Sequence, residues 1–251
     1  MSDMKYSSHA QLDISGRLPK AGKIRRLLPL PENTAEPLRV LEIGTGAGVV
    51  AFYFSQLRNP AFIVDAVDVA DQRQVHEGFA FHAFNGRDLP FADDTFDIVI
   101  SNHVIEHVGD AAAQAAHLAE IQRVLVPGGL GYLATPSRWQ LVEPHFRLPF
   151  LGWLPKRLQD SYVRAAGRGE FYDCVLLRPV ELRRLLQASG LDFDNANARA
   201  LRALVDVEKP RSVLVRLLAG LPMTWLEALQ SAFPVSIYLL RKPDPPGGDG
   251  A

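Results

Sequence analysis

What this chain has little of already narrows its identity. It carries one cysteine, Cys174, so no intrachain disulfide can form, which fits a reducing compartment. It has no excess of either charge: 27 Lys and Arg stand against 28 Asp and Glu, leaving −1. Nucleic-acid binding usually shows a basic face, and none is indicated. The first residues, Met1-Ser2-Asp3-Met4-Lys5, lack the apolar core of a secretory signal. The apolar stretch from Val213 to Phe233 is long enough to span a bilayer, but Arg216, Pro222 and Glu227 interrupt it, which argues against a transmembrane helix. His9, His76, His82 and His117 are scattered without ligand spacing, so no metal is expected. No internal repeat is present. With 47% hydrophobic and 22% charged residues over 251 positions, the chain can bury a full core, and one α/β domain with an insertion is the default.

The informative stretch is Val40 to Gly48. The apolar run Leu38 to Ile43 predicts a buried strand that stops at Gly44, Gly46 and Gly48, and a helical pattern follows from Val49. Glycines between a strand and a helix permit a tight turn and close approach of a ligand to the backbone. The spacing is G-x-G-x-G, not the G-x-G-x-x-G of dinucleotide folds. Glu42, two residues before the first glycine, suits a cationic ligand better than a pyrophosphate.

Further strands are predicted at 61–67, 79–84, 96–102 and 129–135, and helices at 47–57, 70–76 and 111–125, the last stopped by Pro127-Gly128-Gly129. This alternation means a mostly parallel sheet covered on both faces. Residues 15–30 read as an amphipathic helix with a solvated basic face. A helix at 178–189 starts at Pro179, and strands near 191–198 and 234–241 follow. The chain thus divides into an N-terminal helical segment (1–37, its first 14 residues loosely held), a core (38–136), a lid-like insertion (137–177), a C-terminal part of the same domain with an apolar helical insertion (178–242), and a disordered Pro/Gly/Asp-rich tail (243–251).

Five blocks in order resemble the class I S-adenosylmethionine-dependent methyltransferases: the glycine turn, Phe62 to Asp68, Asn85 to Phe91, Thr95 to Val108, and Leu125 to Gly129. The resemblance is to the small-molecule, methyltransferase-11-like type. It implies a Rossmann-like seven-stranded sheet with one antiparallel strand, and S-adenosylmethionine as cofactor. The cofactor contacts it implies are Glu42, Gly44, Thr45, Gly46 and Gly48 at the turn, Asp68 and Val69 at the ribose, Asn85, Gly86 and Arg87 at the adenine, and Asn102 after the fourth strand. The family commonly has Asp where Asn85 stands, and an Asn carbonyl can accept the same hydrogen bond. Glu42 either orients the turn or bonds the ligand's ammonium.

Methyl transfer to a hydroxyl is helped by a base, and His103, His107 and His145 are the candidates. Glu143, Phe146, Phe150 and Trp153 in the insertion are candidate substrate contacts. The expected reaction is O-methylation of a glycan, lipid-linked or other membrane-associated small molecule. A quinone precursor is the alternative acceptor, and a non-catalytic cofactor-binding scaffold is the alternative of another class. Ser101-Asn102-His103-Val104 lacks the Asn/Asp-Pro-Pro-Tyr/Phe pattern, which weighs against methylation of base amino groups. The Val213 to Phe233 stretch fits an interfacial helix or a homodimer surface, so the chain is expected in the cytoplasm, with peripheral contact at the inner face of the membrane.

Overall fold

The structure is a computed structural model, and it describes residues 14–208 and 212–245. The first residues, expected to be loosely held, and the end of the tail, expected to be disordered, lie outside the described residues. Seven strands form one sheet: β1 (Leu38–Ile43), β2 (Phe62–Asp68), β3 (Ala80–Ala83), β4 (Phe96–Asn102), β5 (Leu125–Pro136), β6 (Asp192–Asn195) and β7 (Val235–Arg241). Their order is β3-β2-β1-β4-β5-β7-β6. The pairings from β3 to β5 are parallel, and β7 runs antiparallel to both β5 and β6. Strand order reverses beside β1 and β4, and in open α/β sheets ligands bind at the carboxyl ends of the strands there.

Alternation along the strands sends side chains to two apolar layers. Val40, Val64, Ile98 and Ile100 pack under α1 (Ile14–Leu27), α2 (Val49–Ser55) and α6 (Asn197–Val207). Leu41, Ile43, Val67, Val99 and Leu133 pack under α3 (Ala111–Val124) and α5 (Pro179–Ala188). Asp110 caps α3 through its side chain, accepting from Ala112 N and Ala113 N, so that Leu118 and Ile121 face the sheet.

Three expectations need correction. Residues 70–76 form no helix. The N–H groups of Gln74 and Val75 both donate to Ala47 O at 3.1 Å, so this segment is bonded to the glycine turn and not to itself. Pro127-Gly128-Gly129 does not end α3, because β5 begins at Leu125 and includes all three. The apolar stretch at 213–233 is two short helices, α7 (Val213–Ala219) and α8 (Met223–Ala228), parted at Gly220-Leu221-Pro222. Within α7 and α8 the one buried side chain is Leu226.

The insertion folds around a small core of its own. Phe146, Leu148, Leu151, Val163, Tyr172, Cys174 and Leu176 pack together, with α4 (Lys156–Ala165) supplying Val163. Its two ends meet at a bridge between Ser137 and Leu177.

These layers separate core from surface sharply. Phe54 is fully buried against the sheet, whereas Leu217 of α7 is 67% exposed. Phe54→Ala should cost about 3–5 kcal/mol of stability, and Leu217→Ala should stay within about 0.5 kcal/mol of the parent. Urea denaturation decides, and a large loss from Leu217→Ala would place α7 in the core.

Candidate functional site

The glycine turn is held from below by a buried carboxylate. Glu42, at the end of β1, is 3% exposed. Its Oε2 accepts from Thr45 Oγ1 at 2.6 Å and from Ala51 N, in the first turn of α2, at 3.0 Å. One oxygen thus ties strand end, turn and helix together. Gly44 (φ 72°), Gly46 (φ 52°) and Gly48 (φ 83°) are all left-handed. A Cβ on Gly48 would lie 2.5 Å from Val75 O, so a side chain there is excluded twice over. Thr45 and Gly48 therefore build the turn from inside and do not line the cavity above it.

That cavity measures about 370 Å³ and opens at the carboxyl ends of β1, β2 and β4. At one end stand Gly44, Gly46, Asp68, Val69, Phe84 and Gly86. Asp68 Oδ2 accepts from Gly46 N at 2.9 Å and Oδ1 from Val69 N at 2.7 Å, which fixes the carboxylate against the turn. Asn85 sits apart: its Oδ1 accepts from Arg87 N at 2.8 Å and Asp88 N at 2.9 Å. The expected adenine acceptor is thereby committed to its own turn, and neither Asn85 nor Arg87 is on the cavity wall.

At the other end stand Asn102, His103, His107 and His145, so the fold does bring the three candidate histidines together. They surround Glu106, which is fully buried. Glu106 Oε2 accepts from Thr135 Oγ1 at 3.0 Å, while Oε1 lies 3.3 Å from His103 Nδ1 and 3.7 Å from His145 Nε2. Burial opposes a charge on Glu106, but His103 and His145 outweigh it and hold the carboxyl below the usual range. The reciprocal effect appears at His145: burial disfavours its charged form, and Glu106 and Glu143 reverse this and raise its pKa. His103 adopts φ 59°, uncommon for a residue with a Cβ. Its N–H is anchored to Ala134 O at 2.8 Å, which locks the loop after β4. His107 Nδ1 lies 3.7 Å from Cys174 Sγ, and its ring meets His145 edge to face at 4.6 Å.

The insertion's candidate residues are dispersed. Glu143 is buried and accepts from Phe146 N at 2.6 Å. Phe146 belongs to the insertion's core. Phe150 and Trp153 are about half exposed and, with Trp139, form an edge-to-face aromatic group at the surface. None of the four lines the cavity.

Other cavity residues escaped sequence reasoning. Arg17 and Lys20 of α1 line it, while Lys20 and Arg26 remain exposed to solvent. His117 lines it too, 2.9 Å from Ser101 Oγ, and burial lowers its pKa to about 4, so it is neutral at pH 7. Its place beside Gln114, Leu118 and Ile121 on the inner face of α3 was readable from helical spacing. Asp173, from the insertion, lines it as well.

Burial raises the Glu42 pKa to about 7, with the Thr45 and Ala51 bonds opposing it. A carboxyl whose folded pKa is raised contributes stability below its ordinary value of 4.5 and loses that contribution as pH climbs through about 7. Glu42→Gln keeps an acceptor oxygen and cannot ionise. Its stability relative to the parent should therefore improve between pH 5 and 8, by up to about 3 kcal/mol. Parallel urea-denaturation profiles across that range would mean that Glu42 ionises normally.

Comparison with known proteins agrees with this geometry. A methyltransferase domain family model matches residues 41–133. A ubiquinone biosynthesis O-methyltransferase of Rhizobium etli is 30% identical over 171 residues, 66% of this chain and 64% of that protein. A ubiquinone/menaquinone biosynthesis C-methyltransferase of Desulfotalea psychrophila is 29% identical over 154 residues, 55% of this chain and 61% of that one. The chain thus spans under two thirds of the length of these relatives. Among solved structures, an S-adenosylmethionine dependent methyltransferase from Mesorhizobium loti superposes with a TM-score of 0.57 at 17% identity, over 92% of this chain and all of that one, and so shares its fold. Residues 41–133 thus match the methyltransferase domain family, and the chain has the fold of an S-adenosylmethionine dependent methyltransferase.

Proposed function

We propose that the chain transfers a methyl group from S-adenosylmethionine to a hydroxyl of a small molecule with an apolar part. The observation that carries this reading is one cavity with a glycine turn and Asp68 at one end and a His–Glu pair at the other. The first end suits the ligand: glycine backbone for the methionine part, Asp68 for the ribose hydroxyls, and Phe84 with Gly86 for the adenine. Arg17 and Lys20 offer cations for a carboxylate. Glu42 and Thr45 act beneath the turn, holding its shape.

When bound, S-adenosylmethionine supplies a methyl on a sulfonium, whose departure leaves a neutral thioether. The protein's task is to align the acceptor oxygen with that carbon and to exclude water. His103 Nδ1 faces Glu106, which leaves Nε2 to take the hydroxyl proton as the oxygen–carbon bond forms. Glu106 orients the ring, the carboxylate–imidazole logic of many general bases.

The relatives named for ubiquinone biosynthesis support an aromatic hydroxyl, as in a quinone precursor, over a glycan hydroxyl. They include both an O- and a C-methyltransferase. The His103–Glu106 pair favours oxygen as the acceptor here, because an oxygen nucleophile has a proton for such a base to remove.

An acceptor of this kind lives in or beside a membrane. Among the described residues no helix is long and apolar enough to cross one. Peripheral contact is supported by Val213, Leu214, Leu217 and Trp225, all more than 60% exposed, with Arg216 on the same short helix as the three aliphatic residues. Apolar side chains beside a cation fit an anionic bilayer surface.

Calorimetry should show S-adenosylhomocysteine binding in the micromolar range, roughly −8 kcal/mol. Asp68→Ala should weaken it at least tenfold, about 1.4 kcal/mol. Unchanged affinity in that variant would remove the basis of the cofactor assignment. His103→Ala should leave this affinity within about threefold but lower turnover of a catechol-type acceptor by roughly 10²–10⁴-fold. Full turnover without His103 would exclude it as the base.

Membrane contact has its own readout. The parent should sediment with vesicles rich in anionic phospholipid, and the Leu214→Ser, Leu217→Ser, Trp225→Ser triple variant should stay in the supernatant. A parent that never sediments, or a triple variant that sediments equally, would rule out α7–α8 as the contact.

A further inference from the structure

Three side chains distant in sequence meet beside the cavity: His107, from the loop after β4, and His145, from the insertion, line it, and Cys174, from the other limb of the insertion, meets them from the buried side. One donor atom from each can be chosen so that all three lie within 4.8 Å of one another. Zinc takes His nitrogen at about 2.0–2.1 Å and Cys sulfur at about 2.3 Å. Tetrahedral angles then put ligand atoms roughly 3.3–3.8 Å apart. His107 Nδ1 and Cys174 Sγ, at 3.7 Å, already have that spacing, and side-chain rotation of about 1 Å brings the third donor in.

The surroundings carry the charge a cation needs. Glu106 Oε1 lies 3.7 Å and Glu143 Oε1 4.0 Å from His145 Nε2. Asp173 Oδ1 lies 3.7 Å from Cys174 Sγ. Metal-bound imidazoles commonly have carboxylates beside them, which orient the ring and raise its basicity. Nitrogen and sulfur donors select zinc-like transition metals over magnesium or calcium, which take oxygen. His107, His145 and Asp173 all face the cavity, so three protein ligands would leave the fourth position open, as in catalytic and not structural zinc sites.

We propose that His107, His145 and Cys174 form a zinc-class metal site whose open position receives the acceptor oxygen. On binding, the Cys174 sulfur exchanges its proton for the metal, and that proton leaves to solvent. The metal would polarise the acceptor hydroxyl beside His103, which removes its proton. The role in acceptor binding rests on the methyl-transfer reading above; the metal site stands on its own ligands.

The test uses the whole chain, stripped with a chelator and titrated with Co²⁺. The parent should bind one equivalent with a near-ultraviolet thiolate-to-cobalt charge-transfer band, and Zn²⁺ should abolish the band by displacement. Cys174→Ser should lose the band, and His145→Ala should weaken Zn²⁺ binding at least tenfold, with circular dichroism confirming that both variants fold. Should Cys174→Ser not fold, His107→Ala replaces it with Zn²⁺ affinity as the readout. No saturable Co²⁺ binding by the parent at micromolar metal, a band that survives Cys174→Ser, or Zn²⁺ affinity that survives a histidine substitution would overturn the site. S-adenosylhomocysteine calorimetry on the metal-free chain keeps the two readings apart. Loss of that binding with an intact cobalt band defeats the methyl-transfer reading alone, and the reverse result defeats the metal site alone.

Discussion

A carboxylate buried beneath the glycine turn is the constraint from which this site is built. Glu42 bonds Thr45 in the turn and Ala51 in α2 through a single oxygen, one residue before β1 ends at Ile43. The turn cannot relax without leaving that oxygen buried and unbonded, which costs far more than the bonds contribute. From this fixed point the geometry propagates sideways. Gly44 N donates to Val67 O at 2.8 Å and Gly46 N to Asp68 Oδ2 at 2.9 Å, so the end of β2 is registered against the end of β1 and Asp68 is aimed at the cavity.

A second buried carboxylate organises the opposite end. Glu106 engages Thr135 of β5, His103 and His145, and so spans the sheet, the loop after β4 and the insertion. The two carboxylates behave oppositely. Glu42 has only neutral donors in contact and is pushed toward the protonated form; Glu106 has imidazoles and is held ionised. Burial is common to both, and the charge of the nearest partners decides the outcome.

Much of this was legible before folding was considered. The turn was readable because its requirement is local: a left-handed backbone writes itself as glycine. Asp68 and the loop after β4 were readable from order and spacing along alternating elements. What escaped depends on distant partners. Residues 70–76 have helix-compatible composition, but their N–H groups go to Ala47. Arg17 and Lys20 reach the cavity because α1 packs on α2 and α6, an arrangement that no property of α1 alone specifies. Asn85 was read as a ligand contact because its carbonyl could serve one, yet its own turn has the nearer claim on it. In the insertion, aromatic content gave no hint that Phe146 turns inward while Phe150 and Trp153 turn outward, since no regular period governs that segment. The seven-residue core is what sorts them.

The meeting of Ser137 with Leu177 has a consequence of a different kind. Arg138 N also donates to Leu177 O, at 3.0 Å, so residues 138–176 leave the sheet and return to it at one spot, with their own core inside. Such a segment behaves as a cassette. The entropy of closing a loop grows only with the logarithm of its length, and besides its joined ends the segment touches the rest of the domain at few points, chiefly through His145, Cys174 and Val175. Residues could be added, removed or exchanged within the cassette while β5 and α5 remain where they are. The chain thus keeps its conservative chemistry on the sheet and places the ceiling over it in a part that can be rewritten. Two of the side chains that meet His107, His145 and Cys174, belong to that rewritable part.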